Sequence, residues 1–161
     1  MFKNLFASKN KNAVYAPVTG KCIELAEVND PVFAEKMMGD GLAFQFDGEF
    51  VSSPVYGEVV MVANSRHAVG VRLNNGAEIL IHVGLETVGL NGKGLRAFVK
   101  VGESIRPGDQ LIMVDRKFME EKSIDLTTMV IVTNGDEYEF TPKGYGKVKT
   151  KDELFNITKK G

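Results

Sequence analysis

The chain has 161 residues, 43% of them hydrophobic and 25% charged, which is the composition of a single globular domain with a substantial core. A net charge of −1 gives no reason to expect nucleic acid as a partner. Cys22 is the only cysteine, so a disulfide framework is excluded and a reducing, cytoplasmic location is favoured.

The first predicted element is a flexible N-terminal segment over residues 1–12. Phe2, Leu5 and Phe6 recur at helical spacing among lysines, a pattern typical of segments that lie on an anionic membrane surface. The alternative is a frayed terminus without a partner. The apolar part is too short for a secretory signal or a membrane span, so any membrane contact is expected to be peripheral.

Residues 13–161 are predicted to form one all-β domain, because short apolar runs alternate with Gly, Pro, Asn and Asp about every 8–12 residues. This punctuation is typical of an antiparallel sandwich or barrel. Eight runs carry the pattern: AVYAPVTGKCIEL, GLAFQF, GEVVMVA, AVGVRL, EILIHVGL, RAFVKV, DQLIMVD and TTMVIVTN.

Helix signals are few. The first follows Asp30, a candidate N-cap, with Pro31 at the first helical position and Gly39 as the expected end. The second, DRKFMEEKSID, is long enough for one or two turns.

The only two histidines, His67 and His82, flank a predicted hairpin turn at Asn74-Asn75-Gly76. A loop centred there places the two histidines on adjacent antiparallel strands, opposite each other or one residue off. In the matching register their Cβ atoms would share one face at about 5 Å. A slip of one residue would put them on opposite faces.

Two facing imidazoles allow three interpretations, which the residues alone leave open. The first is a hydrogen-bonded pair in the core. The second is a metal site, in which His67 and His82 supply two ligands and a partner completes the set. The third is a nucleophile: one imidazole nitrogen holds a phosphoryl group covalently while the other ring donates a hydrogen bond to its oxygens. A nucleotide-binding loop, a nucleophile elbow and the His-x-His of a zinc peptidase are all absent from the sequence.

Three stretches together resemble a known family. They are PVFAEKMMGDGLAF, SSPVYGEVVMVANSRHAVGVRLNNGAEILIHVGLETVGLNGKG and VKVGESIRPGDQLIMVD. They are similar to the glucose-type enzyme IIA (EIIA) family of the phosphoenolpyruvate-dependent sugar phosphotransferase system. The resemblance implies an antiparallel β-sandwich with Greek-key or jelly-roll-like connections and a few short helices. It covers roughly residues 13–134, with a weaker tail.

The resemblance also implies a phosphoryl carrier. His82 matches the family's phosphorylated histidine, His67 the supporting histidine, and Ser65 a position where threonine is common. Phosphate would arrive from the phosphocarrier protein HPr and pass to a cysteine on the IIB domain of a sugar permease. No obligatory cofactor is expected. The runner-up is a regulatory binding protein whose His67 and His82 share a zinc ion with a target protein.

An apolar docking surface for these two partners is the last feature that the resemblance implies. Flexible side chains suit a site that receives two different proteins in turn, because they repack easily. The expected docking residues are Val32, Phe33, Met37, Met38, Leu80 and Val88. The alternative is that some of them, Leu80 above all, belong to the core.

Overall fold

The computed structural model describes residues 10–161, which form fourteen β-strands and five short helical segments. The strands are β1 (Ala13–Tyr15), β2 (Gly20–Glu24), β3 (Asp40–Phe46), β4 (Phe50–Ser52), β5 (Gly57–Val62), β6 (Ala68–Arg72), β7 (Glu78–Val83), β8 (Leu95–Ala97), β9 (Ser104–Ile105), β10 (Gln110–Val114), β11 (Thr128–Val132), β12 (Tyr138–Phe140), β13 (Gly146–Val148) and β14 (Glu153–Lys159). The α-helices are α1 (Pro31–Ala34) and α2 (Arg116–Glu121), and the 3-10 helices are Leu25–Glu27, Thr87–Leu90 and Gly135–Glu137.

The strands pair antiparallel in three sheets. The largest has the order β13-β2-β3-β11-β7-β6-β5-β9, and the other two have the orders β4-β10-β8 and β1-β14-β12. Side chains from all three sheets meet in one large buried cluster, which includes Phe44, Ile81, Ile112 and Phe155. The predicted antiparallel β-sandwich with a few short helices is therefore confirmed.

The outer face of the large sheet carries a second, smaller buried cluster. Side chains alternate along each strand, so residues such as Ala43, Leu80 and Met129 point away from the main core. Leu25 and Phe33, from the segment between β2 and β3, pack over them. This segment covers only part of the face, and the remainder is where the site described below opens to solvent.

Helix α1 begins as the sequence predicts. Asp30 is its N-cap and accepts a hydrogen bond of 3.0 Å from the Val32 amide, and Pro31 follows at the first helical position. The helix ends earlier than expected, at Ala34 rather than near Gly39. Lys36 adopts a left-handed conformation (φ 58°), which breaks the helical path two residues beyond that end.

Five strands were not among the predicted runs: β4, β9, β12, β13 and β14. Four of them have only two or three residues, too short for alternation to show in a sequence.

Of the predicted N-terminal segment, residues 1–9 lie outside the described residues. Asn12 accepts a hydrogen bond of 2.7 Å from the Ile157 amide of β14. Within residues 10–161 the longest helix has six residues, and none could cross a bilayer.

Candidate functional site

The hairpin between β6 and β7 forms where the turn signal predicts it, and its register can now be read directly. His82 lies opposite Ala68, and Leu80 lies opposite Gly70. His67 is therefore one residue out of register with His82, which is the less favourable of the two predicted arrangements. The backbone carbonyl of His67 accepts a hydrogen bond of 2.7 Å from the Val83 amide, just beyond the last residue pair of the β6–β7 ladder.

The two imidazole rings nevertheless meet. Their centroids are 5.0 Å apart and their planes are inclined by 75°. His67 precedes β6, and Arg66 before it has a left-handed backbone (φ 58°), so strict alternation no longer applies at this point. The predicted proximity of the histidines is thus correct, although the predicted reason, a shared face of the regular hairpin, is wrong.

Besides the His67 ring, a second aromatic ring packs against the ring of His82. The Phe33 ring from α1 lies 4.9 Å from it at an angle of 56°. The Nδ1 atoms of both His67 and His82 are buried and have no hydrogen-bond partner among the described residues. Both side chains are partly exposed, so the nitrogen that remains accessible on each ring is Nε2.

Electrostatics keep His82 neutral. Burial lowers its pKa to about 4, and the neighbouring charge that His67 would carry adds to the shift. The Gly84 carbonyl and the Asp30 carboxylate oppose this shift without cancelling it. Burial also lowers the pKa of His67. At neutral pH an unprotonated ring nitrogen is therefore available, which nucleophilic attack requires.

A tight turn places the Gly84 carbonyl near His82. Gly84 has φ 80°, and a Cβ there would lie 2.4 Å from Cγ2 of Thr87, so only glycine fits without a rearrangement. The Thr87 hydroxyl donates a hydrogen bond of 2.6 Å to the Val83 carbonyl and closes the turn. The Gly84 amide donates to the Thr127 carbonyl at 3.0 Å, which anchors the turn to the start of β11.

Ser65 lies in the turn that precedes His67, half-buried. Its hydroxyl forms no hydrogen bond to His67, whose Nδ1 has no partner among residues 10–161. The Arg66 amide donates a bond of 2.8 Å to the Ala63 carbonyl, which closes the turn through the backbone alone. A direct role for Ser65 remains a prediction.

The residues predicted to dock partners divide into two groups. Val32, Met37, Met38 and Val88 are exposed, Met37 most of all at 71%. Phe33 and Leu80 are buried, at 4% and 8% exposure, and both belong to the cluster beneath the site. The expectation that Phe33 and Leu80 present themselves to a partner needs correction, because their packing against the sheet leaves them almost no free surface.

Two features near the histidines escaped the sequence analysis. Asp30, expected only as a helix cap, is close enough to His82 to influence its pKa. Met61 of β5 is exposed on the same face of the sheet as His82, although alternation along GEVVMVA does not reveal it. A β-bulge in β5 hides the pattern.

A metal site receives no support from the part of the chain that the structure describes. Among residues 10–161, no three His, Cys, Asp or Glu side chains converge. His67 and His82 would supply two ligands at most, and a structural or catalytic zinc site needs a third.

Comparisons with known proteins identify the family of the chain. Residues 12–138 match the family model described as phosphoenolpyruvate-dependent sugar phosphotransferase system, EIIA 1. The glucose-specific EIIA component of Bacillus cereus is 42% identical, covering 99% of this chain and 100% of that protein. A β-glucoside-specific EIIBCA component of Bacillus subtilis is 39% identical over 92% of this chain, which corresponds to 25% of that larger protein.

A solved structure shows the same fold. The glucose permease IIA from Mycoplasma capricolum superposes with a TM-score of 0.81 at 36% identity, covering 90% of this chain and 94% of that one. Together with the family match over most of the length, this similarity confirms the resemblance noted in the sequence. The chain therefore belongs to the EIIA 1 family of the phosphoenolpyruvate-dependent sugar phosphotransferase system, as a phosphotransfer component of that system.

Proposed function

We propose that the protein carries a phosphoryl group on Nε2 of His82, receiving it from phosphorylated HPr and passing it to a cysteine of a sugar-permease IIB domain. The observation that carries this proposal is the pair of imidazole rings 5.0 Å apart, each with Nδ1 buried and Nε2 accessible. Such a site operates in the cytoplasm, where HPr and the IIB domain meet it.

Acceptance of the group requires a lone pair on Nε2. The low pKa of His82, about 4, ensures that the ring is unprotonated at physiological pH. In the transfer step, Nε2 forms a bond to phosphorus while the bond from phosphorus to the HPr imidazole breaks. The proton of the His82 ring then resides on Nδ1, which leaves the lone pair of Nε2 free for the attack.

His67 is the natural donor to the phosphoryl oxygens. Its ring lies beside that of His82, with centroids 5.0 Å apart, and its accessible Nε2 is the nitrogen that we assign as donor to a group bound to His82. Charge accumulates on the three equatorial oxygens in the transition state, where a preorganised donor contributes most. His67 does not need to move, because its backbone is held by the bond to the Val83 amide.

Donation reverses the first step with a different partner. A cysteine thiolate of the IIB domain attacks phosphorus, the bond to Nε2 breaks, and the electron pair returns to the ring. His82 is a good leaving group because its environment favours the neutral imidazole. A depressed pKa thus serves both half-reactions.

The exposed apolar residues around the site support transient docking. Val32, Met37 and Met38 lie in and just after α1, and Val88 lies in the 3-10 helix after β7. Phe33 and Leu80 form the floor beneath. Methionine side chains adapt to differently shaped surfaces, which suits successive contact with two partners.

A reconstituted relay tests the proposal. Incubation with phosphoenolpyruvate, enzyme I and HPr is expected to load one acid-labile, base-stable phosphate, and addition of a IIB domain is expected to remove it. A IIB domain with its cysteine changed to serine is the matched control for the second step. Failure of the wild-type chain to gain phosphate, with a known EIIA loading in parallel, would refute the proposal.

A further inference from the structure

A second cavity lies where the end of β1, the segment before β5 and two surface turns meet. Its volume is about 430 Å³, which is within the range of about 300–1,000 Å³ that is typical of small-molecule sites. The polar and aromatic residues of its lining are Tyr15, Tyr56, Arg106, Asp109 and Lys151.

This cavity is remote from the two histidines. Tyr56 and Glu58 flank the first residue of β5, and Glu58 lies opposite Arg72 in the β5–β6 ladder. His82 lies opposite Ala68, at the other end of β6. The four residue steps from Ala68 to Arg72 correspond to about 13 Å of strand. A ligand in the cavity would therefore be bound away from the face of the histidine pair.

Two tyrosine rings form one wall of the cavity. The centroids of Tyr15 and Tyr56 are 6.1 Å apart and the ring planes are inclined by 78°. Backbone and side-chain contacts fix Tyr15, because its amide donates a hydrogen bond of 2.7 Å to the Pro54 carbonyl and its hydroxyl donates one of 3.0 Å to the Asn10 carbonyl. The wall is thus rigid and largely apolar, as suits the organic part of a ligand.

Lys151 reaches the cavity from a turn that holds it in an unusual conformation. Its φ is 79°, in the left-handed region that lysine rarely adopts, and its amide donates a bond of 2.9 Å to the Ala16 carbonyl. A Cβ on Gly108 would lie 2.8 Å from Cδ of Lys151, and 3.2 and 3.3 Å from its Cγ and Cε, so the lysine stem lies across this glycine. A non-glycine residue kept in such a conformation is a recurrent feature of ligand sites.

The charges of the lining favour an anion. Arg106 and Lys151 are its two cations, and neither takes part in an ion pair within residues 10–161. Asp109 is the one carboxylate of the lining, and its Oδ2 accepts a hydrogen bond of 2.9 Å from the Arg106 amide, which closes the turn. An arginine fork beside a lysine ammonium matches the two charges and several oxygens of a phosphate group, whereas a carboxylate would balance only one of the two cations.

We propose that this cavity binds a small phosphate ester, with the phosphate between Arg106 and Lys151 and the organic part against Tyr15 and Tyr56. The inference stands apart from the proposed function, because none of these residues belongs to the histidine site. Free phosphate shares the charged half of this chemistry but cannot use the tyrosine wall. An ester is therefore expected to bind more tightly than inorganic phosphate.

NMR titration of the ¹⁵N-labelled protein in phosphate-free buffer tests the inference, with glucose 6-phosphate, inorganic phosphate and glucose as the probes. Glucose 6-phosphate should shift the amide signals of Tyr56, Gly108 and Lys151 with a Kd of about 1 mM or lower, inorganic phosphate should bind more weakly, and glucose should not bind. Arg106→Gln and Lys151→Gln should each weaken binding by about tenfold or more. Lys149→Gln is the matched control, because it removes the same charge from the same hairpin but outside this cavity.

The outcomes are distinct. Binding that is selectively lost in Arg106→Gln and Lys151→Gln, and unchanged in His82→Ala, supports the inference. Absence of a saturable shift in the wild type up to about 10 mM ester, equal affinity for ester and inorganic phosphate, or equal weakening in Lys149→Gln overturns it. Shifts centred on the histidine pair overturn it as well, and this map in the wild type decides the matter even if a variant does not fold. No phosphotransfer is measured, so the inference and the proposed function can fail separately.

Discussion

His82 lies opposite Ala68 in the β6–β7 ladder, yet its ring is 5.0 Å from that of His67. Regular alternation would direct two residues that are one step out of register to opposite faces. His67 escapes this rule because it precedes β6 and follows Arg66, whose φ is 58°. The pairing of the histidines thus depends on one left-handed residue outside the strand.

Arg66 accordingly offers the first prediction. Arg66→Val should displace His67, because a β-branched residue strongly disfavours positive φ, whereas Arg66→Gly should preserve the conformation. The valine variant is expected to lose phosphotransfer activity and the glycine variant to keep it. Nuclear Overhauser contacts between the two rings provide the structural readout, and their retention in the valine variant would contradict the explanation.

The His67→Gln variant should separate the two half-reactions. Glutamine retains a donor, so His82 should still accept phosphate from HPr. Donation should slow by about 100-fold or more, because a flexible amide holds the transition-state oxygens less firmly than a fixed imidazole. Rapid-quench measurement of each step decides the matter. Equal slowing of both steps would indicate that His67 only supports the structure.

The low pKa of His82 predicts how stability depends on pH. The unfolded chain binds a proton on this ring near pH 6.5, whereas the folded protein does so only near pH 4. The stabilising contribution of the neutral ring is therefore complete above pH 6.5 and is lost as the pH falls toward 4. By pH 4.5 the wild type should have lost about 2 kcal/mol more of its free energy of unfolding than His82→Gln.

Urea unfolding of both proteins at pH 7 and pH 4.5 measures this difference. The carboxylates and His67 titrate in both proteins, so the difference reports the contribution of His82 together with its coupling to His67. An NMR titration of the His82 ring should also show its midpoint near pH 4. A midpoint near 6.5, or parallel losses of stability in the two proteins, would show that the ring is not desolvated.

The turn after His82 supplies a further prediction. Gly84→Ala should lower stability by about 1–3 kcal/mol, because the new Cβ would meet Thr87 and the backbone at φ 80° disfavours any side chain. Loading of His82 should fall as well, since the Gly84 carbonyl would shift from the ring. Thr87→Val tests the turn without a change at Gly84, and it should reproduce part of the loss. Full activity in the alanine variant would exclude a role for this carbonyl.

Several parts of the site can be predicted from local sequence rules, and others cannot be predicted in this way. The turn at Asn74–Gly76 predicts the hairpin, and Asp30 and Pro31 predict the start of α1. The burial of Phe33 could not be predicted, because whether a helical residue faces the sheet or solvent depends on how α1 settles on distant strands.

The position of Met61 shows the limit most clearly. Along GEVVMVA a strict period of two would place Met61 and Val59 on one face, but the bulge at Val60 separates them. A bulge is set by the pairing with β6, and the local sequence carries no signal of it. The hairpin turn predicts that His67 and His82 lie near each other, but it does not predict that their rings meet. That contact depends on the left-handed backbone of Arg66, which the local sequence does not reveal.

The central claim is that Nε2 of His82 carries the phosphoryl group, and long-range ¹H–¹⁵N NMR of the phosphorylated protein tests it most directly. After incubation with phosphoenolpyruvate, enzyme I and HPr, we expect a phosphorus-coupled nitrogen in one histidine only, assigned to Nε2 of His82 and absent in His82→Ala. His67 should remain unmodified, with its resonances shifted by the adjacent charge. A phosphoryl group on His67, on Nδ1 of His82, or on the His82→Ala variant would contradict the account.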